Sequence, residues 1–175
     1  MSLVDSPRPI QHVAIVFAVI LGLAVTAISQ APASRDGLDK LIGSWKLNLA
    51  KSTYEAGPPP YKRSTCKIEA LPNGLNGGLK VTYDNVGIRG GVSHIEWVGK
   101  LDGKDYPIQG VDDVLTNAYT RIDERTYDVV VKADGVKAAI ARVVIAPDGK
   151  TLTSVTSTRN ARGQILKTTA VYDRQ

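Results

Sequence analysis

The stretch GSWKLNLAKS, residues 43–52, has the pattern of a first β-strand that runs into a turn. Its apolar residues alternate with polar ones: Trp45, Leu47 and Leu49 against Ser44, Lys46 and Asn48. Because alternate side chains of a strand point to opposite faces, we predict that the apolar face belongs to a core. The segment EAGPPP, residues 55–60, then ends the strand, since proline cannot donate to a sheet ladder.

Short alternating runs continue to the end of the chain, and turn-forming residues separate them. The turns are rich in Gly, Asn, Asp and Pro, as in LPNGLNGG, GIRGG, LDGKD, KADGV, APDGK and NARGQ. Strands at intervals of about 8 to 12 residues with such connections are typical of an antiparallel sandwich or barrel. The length of 175 residues suits one such domain.

The apolar faces of the later strands follow from the same alternation. We predict inward faces made of Leu79, Val81 and Tyr83, then of Ile95, Trp97 and Leu101, and then of Tyr127, Val129 and Val131. A slip of one residue would bury charged side chains, so the register of these strands is well specified.

The last three predicted strands have a different composition. The runs AAIARVVI (138–145), LTSVTSTR (152–159) and LKTTAVY (166–172) hold small or hydroxylated residues where a filled core would hold large ones. On the inward face, such residues would leave room for a ligand. Threonine is also a good strand former on an exposed face. The sequence leaves both interpretations open.

Residues 1–33 have the three parts of a signal peptide. Arg8 precedes an apolar run over residues 13–27, and small residues follow that run. We predict cleavage near residues 29–33 and export of the domain formed by residues 34–175, either to the periplasm or out of the cell. A membrane anchor is the alternative, but a span needs about 20 apolar residues and this run is shorter.

Cys66 is the single cysteine, so no disulfide can form within the chain. The alternation places its thiol on the same face as Ile68, where we expect it to act as a small apolar residue. The net charge of +5 comes from basic residues scattered singly, without the interleaved aromatic residues that stack on bases. We therefore expect no nucleic-acid partner.

Residue types suited to catalysis or metal binding are few after residue 33. His94 is the one histidine there, and the alternation places it outward beside Glu96. The acidic pairs fall in predicted turns, where aspartate is favoured by its local hydrogen bonds. The glycine-rich segments open no predicted helix, so they lack the arrangement that cradles a phosphate. We predict no catalytic residues, no metal and no cofactor.

The opening stretch resembles the first strand of the calycin group, which includes lipocalins and fatty-acid-binding proteins. GSWKLNLAKS, LDGKDYPIQG, DGKTLT and the final VYDRQ are together similar to bacterial exported proteins described as lipocalin-like. The resemblance implies a single up-and-down antiparallel barrel of about 8 to 10 strands. It also implies a barrel floor made of Gly43, Trp45 and Arg174, in which the guanidinium packs over the indole. The second lipocalin motif is represented only by TNAY, residues 116–119, which departs from the family's Thr-Asp-Tyr pattern.

The function that this resemblance implies is non-enzymatic binding of a small amphipathic or hydrophobic molecule inside the barrel. The candidates for lining residues are Tyr83, Trp97, Tyr119 and Tyr127. One alternative is a filled barrel that binds another protein, as bacterial barrel-shaped protease inhibitors do, and a weaker one is a cyclase or isomerase. Bacterial haem-binding barrels of related shape use a histidine, which makes His94 a candidate. We expect a monomer without a stable membrane span once the signal peptide is removed.

Overall fold

The computed structural model of the protein describes residues 40–72 and 77–175, all of which belong to one compact unit, Pro32–Gln175. These residues form strands, turns and one short 3-10 helix, Leu49–Lys51. The predicted signal peptide, residues 1–33, lies outside the described residues and stays a prediction.

The described strands follow the rhythm of turns that the sequence predicts. In chain order they are β1 (Gly43–Leu47), β2 (Thr53–Tyr54), β3 (Tyr61–Ala70), β4 (Leu79–Gly87), β5 (Val92–Gly99), β6 (Tyr106–Gln109), β7 (Leu115–Arg121), β8 (Thr126–Ala133), β9 (Val136–Ile145), β10 (Thr151–Arg159) and β11 (Ile165–Arg174).

Ten of these strands form a closed antiparallel barrel. Each strand from β3 to β10 pairs with the next one along the chain, and β1 pairs with both β3 and β11, which closes the barrel. The short β2 is an additional strand on β11. The prediction of a single up-and-down antiparallel barrel is confirmed.

The connections between strands alternate between the two ends of the barrel. We call one end the closed end; it holds the connections 100–105, 122–125 and 146–150. We call the opposite end the upper end; it holds the connections 55–60, 88–91, 110–114, 134–135 and 160–164.

The inward faces of the strands build one apolar core near the closed end. Trp45, Leu79, Trp97, Tyr127 and Ile145 are each at most 2% exposed. The core cluster also contains Leu41, Cys66, Ile68, Val81, Leu152 and Tyr172. The predicted inward positions on β4, β5 and β8 that this core contains are confirmed by their burial.

The predicted inward position of Leu49 is wrong, because β1 ends at Leu47. The Asn48 side chain accepts a hydrogen bond from the Lys51 backbone N–H, and this local bond turns the chain into the 3-10 helix. The Ser52 hydroxyl then donates to the Asn48 carbonyl at 2.7 Å. Leu49 is 37% exposed on this turn and does not reach the core.

Candidate functional site in the barrel interior

The closed end is sealed by Trp45 and Arg174, which lie opposite each other on β1 and β11. The Trp45 side chain is fully buried, and its indole N–H donates to the Leu41 carbonyl at 3.0 Å. The Arg174 guanidinium carbon lies 4.4 Å from the centroid of the indole, within the range of a cation–π contact. The same guanidinium donates to the carbonyls of Gly149, Ile42 and Lys40. These contacts hold the two side chains in place, and we call the pair Trp45 and Arg174 the plug.

Gly43 makes room for this plug. A Cβ at this position would lie 2.6 Å from Nη1 of Arg174, and the residue has a φ of +149°, which L-amino acids with side chains rarely adopt. A side chain at position 43, two residues before the tryptophan, would therefore clash with Arg174.

Above the plug, β4, β5 and β7 present large aromatic side chains, which we call the aromatic wall: Tyr83, Trp97 and Tyr119. The rings of Trp97 and Tyr119 lie 4.4 Å apart between centroids, and Trp97 also meets Tyr106 edge to face at 6.0 Å. The Trp97 indole N–H donates to the Asn117 carbonyl at 3.2 Å. Trp97 is 2% exposed, so its neighbours enclose it completely. It positions the Tyr119 ring and does not line open space.

The inner faces of β9, β10 and β11 form the opposite side, which we call the small wall. Its members lie in register across the three strands: Val143, Ser154 and Ala170 in one row, and Ala141, Thr156 and Thr168 in the next row toward the upper end. Ala141 is buried, whereas Ser154, Thr156, Thr168 and Ala170 are part-exposed although they point inward. Water therefore reaches the small wall from inside the barrel.

A small enclosed cavity lies between these two walls. Its volume is about 20 Å³, and it is lined by Leu41, Ile68, Leu79, Val81, Tyr83, Tyr119, Tyr127, Val143, Leu152 and Ser154. That volume holds about one water molecule, whereas ligand pockets measure about 300 to 1,000 Å³. Of the four residues predicted to line a ligand site, Tyr83, Tyr119 and Tyr127 line this cavity and Trp97 does not.

Three inward-facing polar side chains have a buried atom without a hydrogen-bond partner. They are Asn85 Oδ1, Asn117 Oδ1 and the Tyr127 hydroxyl. Ser64 Oγ interacts with the Tyr172 phenol, and this interaction lowers the pKa of Tyr172 in part. Ser64, Asn85 and Ser93 pair across β3, β4 and β5 and form a polar row, in which Asn85 Nδ2 donates to Ser93 Oγ at 3.3 Å. A buried polar group without a partner is unfavourable by about 1–3 kcal/mol. These atoms are therefore positions where a bound molecule or water would stabilise the fold.

The sequence interpretation did not include Ser64, Asn85 or Asn117 among the site residues. The signal was present, because each lies two residues from an inward residue that the interpretation did consider: Cys66, Tyr83 and Tyr119 respectively. The interpretation considers the aromatic residues on these apolar faces and not the isolated polar ones.

The Cys66 thiol and the phenols around it form the ionisable part of the interior. Cys66 is 1% exposed and pairs with Tyr83 across β3 and β4. Burial raises the pKa of Cys66 to about 12, although an interaction with the Tyr83 hydroxyl lowers it in part. The pKa of Tyr83 is raised by the charge that Cys66 would carry and by burial, and burial raises the pKa of Tyr119 and Tyr172 as well. All these groups are neutral near pH 7, so the thiol is not a nucleophile there.

His94 lies outside the barrel, on the outer face of β5. Its Nδ1 lies 2.7 Å from Oδ1 of Asp84, and the two side chains are 62% and 64% exposed. A surface groove of about 660 Å³ passes over them and is also lined by Lys46 and Arg63. These side chains are exposed, so the groove cannot shield a reacting group from water.

One of the predicted turn aspartates, Asp123, has a local role. Asp123 Oδ1 accepts from the Arg125 backbone N–H at 2.8 Å, and this hydrogen bond holds the pKa of Asp123 below its usual value. Within residues 40–72 and 77–175, no three His, Cys, Asp or Glu side chains are grouped closely enough to hold a metal ion. In the same ranges no helix has the length and apolar character needed to cross a membrane.

The interior therefore combines an aromatic wall, a wall of small and hydroxylated side chains, and inward-facing polar atoms without partners. Comparisons with protein-family models, with curated proteins and with solved structures found no match. The resemblance to lipocalin-like exported proteins therefore stays a prediction, and the site is defined by its geometry.

Proposed function

We propose that the protein is an exported, non-enzymatic binding protein that holds a small amphipathic molecule inside its barrel. The observation that carries the proposal is the set of three unpartnered polar atoms on the inward-facing side chains of Asn85, Asn117 and Tyr127. A solid core leaves few such atoms without partners. A ligand that forms hydrogen bonds to them would remove an unfavourable contribution of about 1–3 kcal/mol for each atom that it pairs.

The ligand lies above the enclosed cavity in this proposal. A volume of about 20 Å³ is too small for it, but the small wall continues toward the upper end through Thr156 and Thr168, which are inward and part-exposed. Ile95, Val131 and Leu166 also point inward at part-exposed positions and offer apolar contact. Apolar and hydroxylated surface in one compartment suits a molecule with a hydrocarbon part and a polar edge.

Titration with an environment-sensitive amphipathic dye, such as a fluorescent fatty alcohol, tests the proposal. We expect saturable binding at about one site with micromolar affinity, or roughly −8 kcal/mol. Two adjacent alanines of β9 give a matched pair of variants. Ala139 pairs with Val131 and Thr158 on the inward side, whereas Ala138 points outward and is exposed.

Ala139→Leu should fill part of the interior and weaken binding, and Ala138→Leu should bind as the parent does. Each variant must first give the circular dichroism spectrum of the parent. Absence of saturable binding to several chemically different dyes, or equal binding by the two leucine variants, would refute the carrier proposal.

A second candidate function, a protein-interaction module, is favoured by the upper end of the barrel. Six apolar side chains of the described residues are more than half exposed, and five of them lie in or beside the upper-end connections: Ile88, Val92, Val114, Val136 and Ile165. Apolar residues gathered at one end of a soluble protein commonly mark an interaction site. This candidate takes precedence if no dye binds in the interior.

A further inference from the structure

We infer that the barrel interior selects an uncharged ligand that donates hydrogen bonds, such as a hydroxylated hydrocarbon, over a carboxylate of the same size. This inference rests on the proposed binding function and names the chemical class of its ligand. Three observations on the inward side chains support it: their charge, their unpartnered atoms and the environment that they create.

The inward positions between the plug and the upper end carry no charge in the described strands. The two charged residues that point inward, Arg121 and Arg174, lie at the closed end, and each interacts with other residues there. Arg121 donates from Nε to the Asp123 carbonyl at 3.0 Å, and Arg174 covers Trp45. Lys62 on β3 and Lys137 on β9 have the numbering of inward residues, but each lies at the upper end by a register shift and is exposed. A ligand carboxylate in the upper part of the barrel, away from Arg121 and Arg174, would therefore meet no cation, and an unpaired buried charge is strongly unfavourable.

Two of the three unpartnered atoms are acceptors. Asn85 already uses its Nδ2 group toward Ser93, which leaves Oδ1 facing the interior. Asn117 likewise has a buried Oδ1 without a partner. A carboxylate has only acceptor oxygens and would be repelled by these two carbonyl groups, whereas a hydroxyl or an amide N–H can donate to either of them. The Ser64 hydroxyl, which lies in register with Asn85, can donate or accept and would suit the second hydrogen bond of a ligand hydroxyl.

The apolar environment of the interior also favours an uncharged ligand. Burial raises the pKa of the Cys66 thiol and of the phenols of Tyr119, Tyr127 and Tyr172. The interior therefore disfavours negative charge on its own side chains, and a ligand carboxylate would face the same penalty.

Two probes with the same hydrocarbon part separate the classes: pyrene-labelled dodecanol and pyrene-labelled dodecanoic acid. Both are titrated into the protein near pH 8, where the acid is ionised. We expect the alcohol to bind at least about 10-fold more tightly, and a difference of that size corresponds to about 1.4 kcal/mol. Asn85→Leu removes one acceptor and should reduce the preference for the alcohol, and Asn117→Leu gives an independent second variant if the first fails to fold.

A third variant adds a positive charge to the interior. Thr168 is inward and part-exposed, so Thr168→Arg can place a cation inside the barrel while its long side chain reaches water. This variant should bind the acid more tightly than the parent does. Equal affinity of the parent for both probes, or a preference for the acid, would overturn the inference and leave the binding function standing. If neither probe binds, both proposals fail.

Discussion

The Trp45–Arg174 plug permits a quantitative prediction, because each partner can be removed separately. The three variants are Trp45→Ala, Arg174→Ala and the double variant. Trp45 is fully buried and also loses its hydrogen bond to Leu41 in the first variant. Truncation of a buried tryptophan lowers the free energy of unfolding by about 3–5 kcal/mol. Trp45→Phe keeps an aromatic ring in the cavity and should lower it less.

Arg174→Ala removes two kinds of contact. The guanidinium lies 4.4 Å from the indole centroid, and a partly desolvated cation–π contact contributes about 0.5–2 kcal/mol. The side chain also donates to three backbone carbonyls, and hydrogen bonds from a charged group contribute about 1.5–3 kcal/mol each when they are well formed. Only the first contribution depends on Trp45. The double variant should therefore be less destabilised than the sum of the single variants by about 0.5–2 kcal/mol.

Urea unfolding of the parent and the three variants, followed by circular dichroism, measures these differences. The comparison is valid if the slope of the free energy with urea is similar in all four proteins. If the Trp45→Ala variant unfolds at the same urea concentration as the parent, the indole does not stabilise the closed end of the barrel. Strict additivity, within about 0.3 kcal/mol, would mean that the guanidinium and the indole do not interact.

Three further predictions concern other parts of the barrel. Gly43→Ala should destabilise the protein by about 1–3 kcal/mol, because the new Cβ would meet Arg174 at a positive φ, and the effect should shrink in the Arg174→Ala background, where only the backbone strain remains. Burial raises the pKa of Cys66 from 9.0 to about 12, so the folded state keeps a proton that the unfolded chain releases. The free energy of unfolding should therefore be constant below about pH 9 and fall above it. Cys66→Ala should reduce that fall by up to about 1.4 kcal/mol per pH unit, as measured by urea unfolding at about pH 8 to 11. Val92→Ser and Val136→Ser should change the free energy of unfolding by less than about 0.5 kcal/mol, since these side chains are 82% and 70% exposed. A larger loss would show that the two valines are buried in contacts with other residues.

The architecture could be predicted from the sequence because it depends on local signals. The regular spacing of Gly, Asn and Asp between alternating runs fixes hairpins, and hairpins between successive strands lead to an up-and-down sheet. Parity then places Trp45, Val81, Trp97 and Tyr127 inside, and all four are buried. Closure of the sheet through the β1–β11 pairing is a long-range contact that no local pattern contains. The resemblance to a barrel family, and not the spacing of the turns, distinguished barrel from sandwich.

Leu49 illustrates where parity fails. The alternation continues through Asn48 to Leu49, but the Asn48 side chain can hydrogen-bond to the backbone three residues later, and this competes with the strand. Asn48 also donates to Asp173 at 2.6 Å, and Lys51 pairs with the same carboxylate at 2.9 Å. The end of β1 is thus set by this local hydrogen bond together with contacts to β11, more than a hundred residues away in the chain, and the sequence alone does not reveal those contacts.

The interior site was harder to predict than the fold, since parity gives the direction of a side chain but not the space around it. Trp97 and Tyr119 are both inward and aromatic, yet one is enclosed by its neighbours while the other lines a cavity. Gly99 contributes to this difference, because a Cβ there would lie 2.5 Å from the Trp97 ring and 2.6 Å from the Tyr106 ring. The glycine lets these two rings pack edge to face, so Trp97 is enclosed while Tyr119 contributes to the lining of the cavity. The packing of the aromatic wall therefore depends on a residue without a side chain, which parity and residue type alone do not single out.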